Sequence, residues 1–219
     1  MENMEKREPK NTPKLHVILS EEQKEAKKLI LERPISFILG KAGSGKTLLA
    51  CNVALDQFFK RKINKIVVTR PTVSTEDNGF LPGTEKEKLT PWMVPIHDNM
   101  SKVYNQKDKL DKMLNSSEIE MVSLTHFRGR TFENAVCIID EFQNLTKSQF
   151  KMVISRLGKD SIMIFCGDAD QIDLKYDNDS AIHELPKLRS SEYCNEIILN
   201  DNHRHHALDD IFKLLGRKY

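Results

Sequence analysis

Short apolar runs recur along the chain with polar stretches between them: ISFIL (35–39), KIVVT (65–69), IEMVS (119–123), AVCIID (135–140), SIMIFC (161–166) and EIILN (196–200). Several are apolar on consecutive residues, which is how strands buried on both faces read. The intervals carry helical patterns. Ser20-Glu21-Glu22-Gln23 has capping-box spacing, with the serine hydroxyl accepting from the N3 amide and the glutamine reaching back. Ala26, Leu29, Ile30 and Leu31 then form an apolar side, and Pro34 lies just past the predicted end. A second helix is predicted over 46–60. A third covers 146–157, with Thr146-Lys147-Ser148-Gln149 repeating the capping box and Gly158 as its C′ stop. A last one covers about 207–215, stopped by Gly216. Strands alternating with helices predict an α/β fold, a mostly parallel sheet flanked by helices.

Two stretches depart from this rhythm. Residues 1–14 read as a flexible, solvated tail. Residues 70–117 hold Pro71, Pro82, Pro91 and Pro95, the turn signal Asn78-Gly79, and then a lysine-rich helical segment. We read 70–117 as an irregular insertion hung on the sheet edge, inside one domain spanning 15–219.

Composition narrows the class. The chain has 219 residues, 39% hydrophobic and 30% charged, which excludes a disordered or fibrous protein. Thirty-four basic residues against 32 acidic ones leave a net charge of +2. That does not announce a nucleic-acid binder, but a local basic face would suffice for one. Cys51, Cys137, Cys166 and Cys194 form no C-x-x-C pair. They read as reduced packing thiols of a cytoplasmic protein. No run of about 18 apolar residues predicts a membrane span, and the charged N-terminus does not read as a secretory signal.

Gly40-Lys41-Ala42-Gly43-Ser44-Gly45-Lys46-Thr47 matches G-x-x-x-x-G-K-[ST] in full, between a predicted strand and a predicted helix. Glycines let backbone amides point at phosphate oxygens, and the helix that follows offers its positive end. Gly40, Ala42, Gly43, Ser44, Gly45, Lys46, Thr47 and Leu48 form the expected ATP-binding set. Lys46 would reach the β- and γ-phosphates, and Thr47 would place its hydroxyl on Mg²⁺.

AVCIID puts Asp140 at the carboxyl end of a buried strand, where open α/β sheets bind ligands. A carboxylate there needs a cation or donors. Asp140 is the expected Mg²⁺ carboxylate, and Glu141 the residue that orients or deprotonates the attacking water. A third strand end carries Gly167-Asp168-Ala169-Asp170-Gln171, with Gln171 placed to sense the γ-phosphate or that water.

With these motifs in place, the sequence resembles the PhoH-like ATPases, relatives of superfamily 1 helicases. Beyond the P-loop, the resemblance rests on several stretches. These are Arg70-Pro71-Thr72-Val73, Gly79-Phe80-Leu81-Pro82-Gly83, Glu87-Lys88 through Pro91-Trp92 and Pro95 to Asp98, Arg128-Gly129-Arg130-Thr131, Asp140-Glu141-Phe142-Gln143-Asn144, Gly167-Asp168 with Gln171-Ile172-Asp173-Leu174, and His203-Arg204. Phe142 departs from the alanine usual there. The resemblance implies a P-loop NTPase with a single RecA-like core, ATP hydrolysis, and action on RNA or single-stranded DNA. It makes Gln23 a candidate adenine reader, beside its equally good reading as a cap residue, and Arg204 a candidate γ-phosphate contact. Arg70, Arg128 and Arg130 become candidate nucleic-acid or intersubunit contacts, with an ordinary solvated basic turn as the alternative for the last two. Phe80 and Trp92 either stack on bases or pack the insertion. His203, His205 and His206 read more readily as solvated than as metal ligands. Two rival functions stay open: a nucleotide-gated binding module, and a small-molecule kinase. A helicase of this class pinches ATP between two such domains, so the expectation for one is a homo-oligomer, plausibly a ring of about six as in the family.

Overall fold

The structure, a computed structural model, describes Pro9, residues 12–71 and 85–201, and Ala207, Ile211 and Leu214; for 85–92 it describes the backbone alone. The sequence-based expectations for Phe80, Trp92, His203, Arg204, His205, His206 and most of the 1–14 tail lie outside the described residues and side chains.

Among the described residues, six strands form one sheet: β1 (Ile35–Gly40), β2 (Lys65–Thr69), β3 (Ile119–Met121), β4 (Ala135–Ile139), β5 (Ile162–Gly167) and β6 (Cys194–Leu199). Their order is β3-β2-β4-β5-β1-β6, and every pairing is parallel. Neighbouring residues on a strand face opposite sides, and here both sides are core. Ile38, Ile66, Val68, Ile138 and Ile164 pack on one face, Phe37, Val67, Cys137, Ile139 and Phe165 on the other. That two-sided burial is why these runs are apolar on consecutive residues.

The first face carries α1 (Glu21–Glu32), α2 (Lys46–Phe59), α3 (Glu85–Val103) and α4 (Lys107–Asn115). The second carries α5 (Leu124–Phe127), α6 (Lys147–Ile154) and α7 (Leu185–Leu188). Both expected capping boxes form, at Ser20/Gln23 and Thr146/Gln149. Helix α2 is buried from Leu49 to Leu55 without a break. A helix lying on a sheet would leave its outer side wet. Here α1 and α3 cover that side. Lys27 of α1 donates to Asn52 Oδ1 (3.0 Å) and pairs with Asp56 (3.1 Å). From α3, Met93, Ile96, Met100 and Val103 join the same core as α2. Much of the stretch expected to be irregular is therefore helical and packed. Pro91 and Pro95 lie inside α3, and the amide of Asn99 donates to the Pro95 carbonyl (2.7 Å).

Gly158 is not the C′ stop of the third helix. That helix ends at Ile154 with Ser155 as its cap. Gly158 instead donates its N–H to the Phe132 carbonyl (2.8 Å), and a Cβ there would lie 2.3 Å from the same oxygen. Close backbone approach, not helix termination, fixes glycine at 158. All four cysteines are free and buried, and no helix among the described residues is long and apolar enough to cross a membrane. Because the neighbour at Gly158 is main chain and cannot swing away, Gly158→Ala is expected to destabilise by about 1–3 kcal/mol. The midpoint of urea unfolding measures this.

Candidate functional site

The carboxyl ends of β1, β4 and β5 meet at one edge of the sheet, and the candidate residues gather there. Gly43 (φ 96°) and Gly45 (φ 84°) take left-handed backbone conformations that a side chain would strain. They fold the 40–47 loop over the start of α2, whose N-cap is Gly45. A Cβ on Gly40 would lie 2.5 Å from the Leu199 carbonyl of β6 and 2.7 Å from Ser44 Oγ. Lys46 Nζ donates to the carbonyls of Gly40 (2.6 Å) and Lys41 (3.0 Å), so its charge is held inside the loop. Ser44 Oγ is buried without a hydrogen-bond partner. A glycine-lined loop, an ammonium and an orphaned hydroxyl are a donor set that fits a nucleotide's phosphates. Ala42 lies in the same loop, and Leu48 packs against the core from the first turn of α2.

Thr47 donates its hydroxyl to Asp140 Oδ1 at 2.7 Å, closing a contact between residues 93 apart in sequence. Asp140 is 4% exposed. Burial pushes its carboxyl up to about 6, and neighbouring Glu141 adds to the rise. The Thr47 hydrogen bond, Arg70 and Lys46 oppose it. A hard-oxygen pair of this kind fits Mg²⁺, which takes one or two protein oxygens and fills its remaining positions from water and phosphate.

Glu141 sits in a left-handed conformation (φ 52°) between β4 and the 3-10 turn Phe142–Asn144. Sequence reasoning missed what holds it. Gln143, fully buried, donates to Glu141 Oε2 (2.7 Å) and to the Gln171 carbonyl (2.9 Å), and accepts from the Asp168 N–H (3.2 Å). Its position inside the Asp-Glu-x-Gln stretch was the available signal. Gln171 itself is exposed, and its side chain donates to Asp168 Oδ2 at 3.0 Å, within its own loop.

The arginines separate. Arg70 reaches the site, 3.8 Å from Asp140 Oδ2 and 3.5 Å from Glu141 Oε1. Arg130 is not brought there. It pairs with Glu120 of edge strand β3 (2.6 Å) and lies over the Phe132 ring (4.8 Å). Arg128 is exposed just after α5. Gln23 is buried, with its amide oxygen taking the Ser20 N–H (3.2 Å) as the capping box requires. Near it, Glu22 accepts the N–H groups of Asn200 (2.8 Å) and Asp201 (3.1 Å), tying the start of α1 to the end of β6.

The comparisons agree with this geometry. The sequence model of a family described as PhoH-like protein matches residues 17–215. A PhoH-like protein of Synechocystis sp. is 38% identical over 153 residues, which cover 69% of this chain and 46% of the relative. Protein PhoH2 of Bacillus subtilis is 43% identical over 148 residues, covering 65% and 34%. The chain thus spans less than half the length of these relatives. Among solved structures, the Sulfolobus solfataricus SWI2/SNF2 ATPase core in complex with dsDNA superposes with a TM-score of 0.52 over 87% of this chain and 47% of that one, at 15% identity. That likeness speaks to the fold: an α/β, RecA-like P-loop core.

Two outcomes test the site's electrostatics and its support. Asp140 titrates above its ordinary value, so the protonated form is favoured in the folded state. The cost of ionising it is absent below about pH 4 and grows as pH rises through 6. With EDTA present, Asp140→Asn is expected to raise stability by about 1–3 kcal/mol near pH 8 and to lose that advantage near pH 4. Thermal melts across that range check it. Gln143→Ala strands the Asp168 N–H and the Gln171 carbonyl. It is expected to cost about 2–4 kcal/mol, read from chemical denaturation, whereas substituting exposed Gln171 costs almost nothing.

Proposed function

Since the chain belongs to the family of PhoH-like proteins, we propose that it binds and hydrolyses ATP with Mg²⁺, and that turnover is coupled to RNA or single-stranded DNA. The observation that carries the reading is the meeting of the Gly40–Thr47 loop with Asp140 and Glu141 at one edge of the sheet. Loop amides and Lys46 would bind the phosphates, and Thr47 with Asp140 would hold the metal. The metal, when bound, supplies charge neutralisation on the phosphates. Glu141, set by the Gln143 hydrogen bond, would orient the attacking water and take its proton. Positioning and charge stabilisation carry most of such a reaction.

The nucleic-acid reading draws support from the motifs shared with helicase relatives, as do the roles of Gln23 toward adenine and Arg204 toward the γ-phosphate. A cytoplasmic homo-oligomer, of about six copies as in the family, completes the proposal. In it Arg128, exposed just after α5, stands available at an interface, whereas Arg130 would have to leave Glu120 to serve there. A second reading, a nucleotide-gated binding module without helicase action, is favoured by one observation: Gln171 is turned onto Asp168 within its own loop. A small-molecule kinase does not call for the Asp-Glu-Phe-Gln and Gly-Asp-x-x-Gln pair.

Phosphate release with and without single-stranded RNA or DNA separates these. Wild type is expected to hydrolyse ATP faster with the polymer. Glu141→Gln is expected to lose at least about 100-fold in kcat while still binding ATP. Hydrolysis unchanged in Glu141→Gln would sink the assignment of the base. Hydrolysis indifferent to nucleic acid would favour the gated module.

A further inference from the structure

Each acid of the site has one oxygen taken and one oxygen facing the same cation. Thr47 engages Asp140 Oδ1, and Gln143 engages Glu141 Oε2. The other oxygens, Asp140 Oδ2 and Glu141 Oε1, face Arg70 at 3.8 and 3.5 Å. Among the described residues, Arg70 is the one side chain within ion-pair distance of both carboxylates. Lys46, the other cation acting on Asp140, donates to the carbonyls of its own loop and is not within ion-pair distance of either carboxylate.

Neither Arg70 contact has the length of a charge-assisted hydrogen bond, about 2.7–2.9 Å. The guanidinium is near enough to offset two adjacent negative charges and too far to be locked onto them. Its side chain is also 23% exposed, against 5% for Asp140. It can therefore retract toward solvent, while Asp140 cannot.

We propose that Arg70 is the resident counter-charge of the Asp140–Glu141 pair and competes with a divalent cation for it, so that Arg70 sets how tightly the site holds metal. The inference rests on the reading of Thr47 and Asp140 as the metal-binding pair. It moves Arg70 from a nucleic-acid or intersubunit contact to a positioning residue that acts through the two carboxylates. Two positive charges at one acid pair repel, so removing the guanidinium charge strengthens metal binding. A merely structural arginine would have the opposite effect, because its loss would loosen the acids.

The test is Mn²⁺ binding by the full chain with equimolar ADP, followed by the free-Mn²⁺ EPR signal at low ionic strength and about pH 8. ADP lacks the γ-phosphate, so no contact of Arg70 with that group enters the result. Arg70→Gln and Arg70→Met are expected to bind Mn²⁺ about threefold tighter or more, and Arg70→Lys about as wild type. The gap should close as salt is raised. Equal or weaker Mn²⁺ binding in both neutral variants, with circular dichroism and urea midpoint unchanged, would overturn the role of Arg70. Absence of saturable binding in wild type, or binding undiminished in Thr47→Val, would overturn the metal-site reading beneath it.

Discussion

A carboxylate buried at the end of a parallel strand must be answered by donors or cations, and Asp140 imposes that demand on the whole upper edge of this sheet. Its direct hydrogen bond comes from Thr47, which stands on the first turn of α2. For that turn to lie above β4, the helix leaving β1 must cross β5 in the order β4-β5-β1. Helix α2 therefore runs over the centre of the sheet and is buried along seven consecutive residues. Its outer side then needs covering, which α1 and α3 provide. The Thr47–Asp140 contact and the burial of 93–103 are linked through one helix.

On the opposite face an aromatic cluster does the corresponding work. Phe142 lies 5.7 Å from Phe37 and 5.7 Å from Phe165, ring centre to ring centre, and is fully buried. It follows Glu141 directly, so its burial pins the turn that carries Glu141. The approach is close enough that a Cβ on Gly167 would meet Phe142 Cε1 at 2.5 Å and Gln143 Oε1 at 3.0 Å. Glycine at the end of β5 and phenylalanine at 142 belong together: the ring occupies space that a larger residue at 167 would need.

Elements written in local chemistry were readable from the sequence. The strand runs, both capping boxes and the glycine-rich loop between β1 and α2 depend on residues within a few positions of one another, and each formed within a few residues of its expected bounds. What could not be read depends on partners far along the chain. Gly158 looks like a helix stop until Phe132 is seen against it. Arg70 and Arg130 are the same residue type at strand and loop ends. Topology sends one to Asp140 and the other to Glu120, where Lys65 (2.6 Å) and Arg130 together outweigh burial and hold that carboxyl below its usual range. Gln143 was visible as part of a motif, but its three-way bonding depends on where β5 delivers residue 168.

That bonding has a consequence for coupling. The segment 168–181 meets 143–146 through polar contacts as well as packing. Asn144 and Asp173 exchange two hydrogen bonds (3.1 and 2.7 Å), Ser180 Oγ donates to the Gln143 carbonyl (2.5 Å), and the Ala181 N–H donates to the Leu145 carbonyl (2.8 Å). Buried polar contacts contribute little net stability, but they define one geometry sharply, because a displaced donor is costly. An apolar junction would let the loop slide by fractions of an ångström at small cost. This one cannot slide without breaking bonds. Residues 168–173 are thus tied to Gln143, and through it to the Glu141 carboxylate, by hydrogen bonds with defined partners. Gln171 completes the junction through its backbone carbonyl, which leaves its side chain outside the junction and able to exchange Asp168 for another partner.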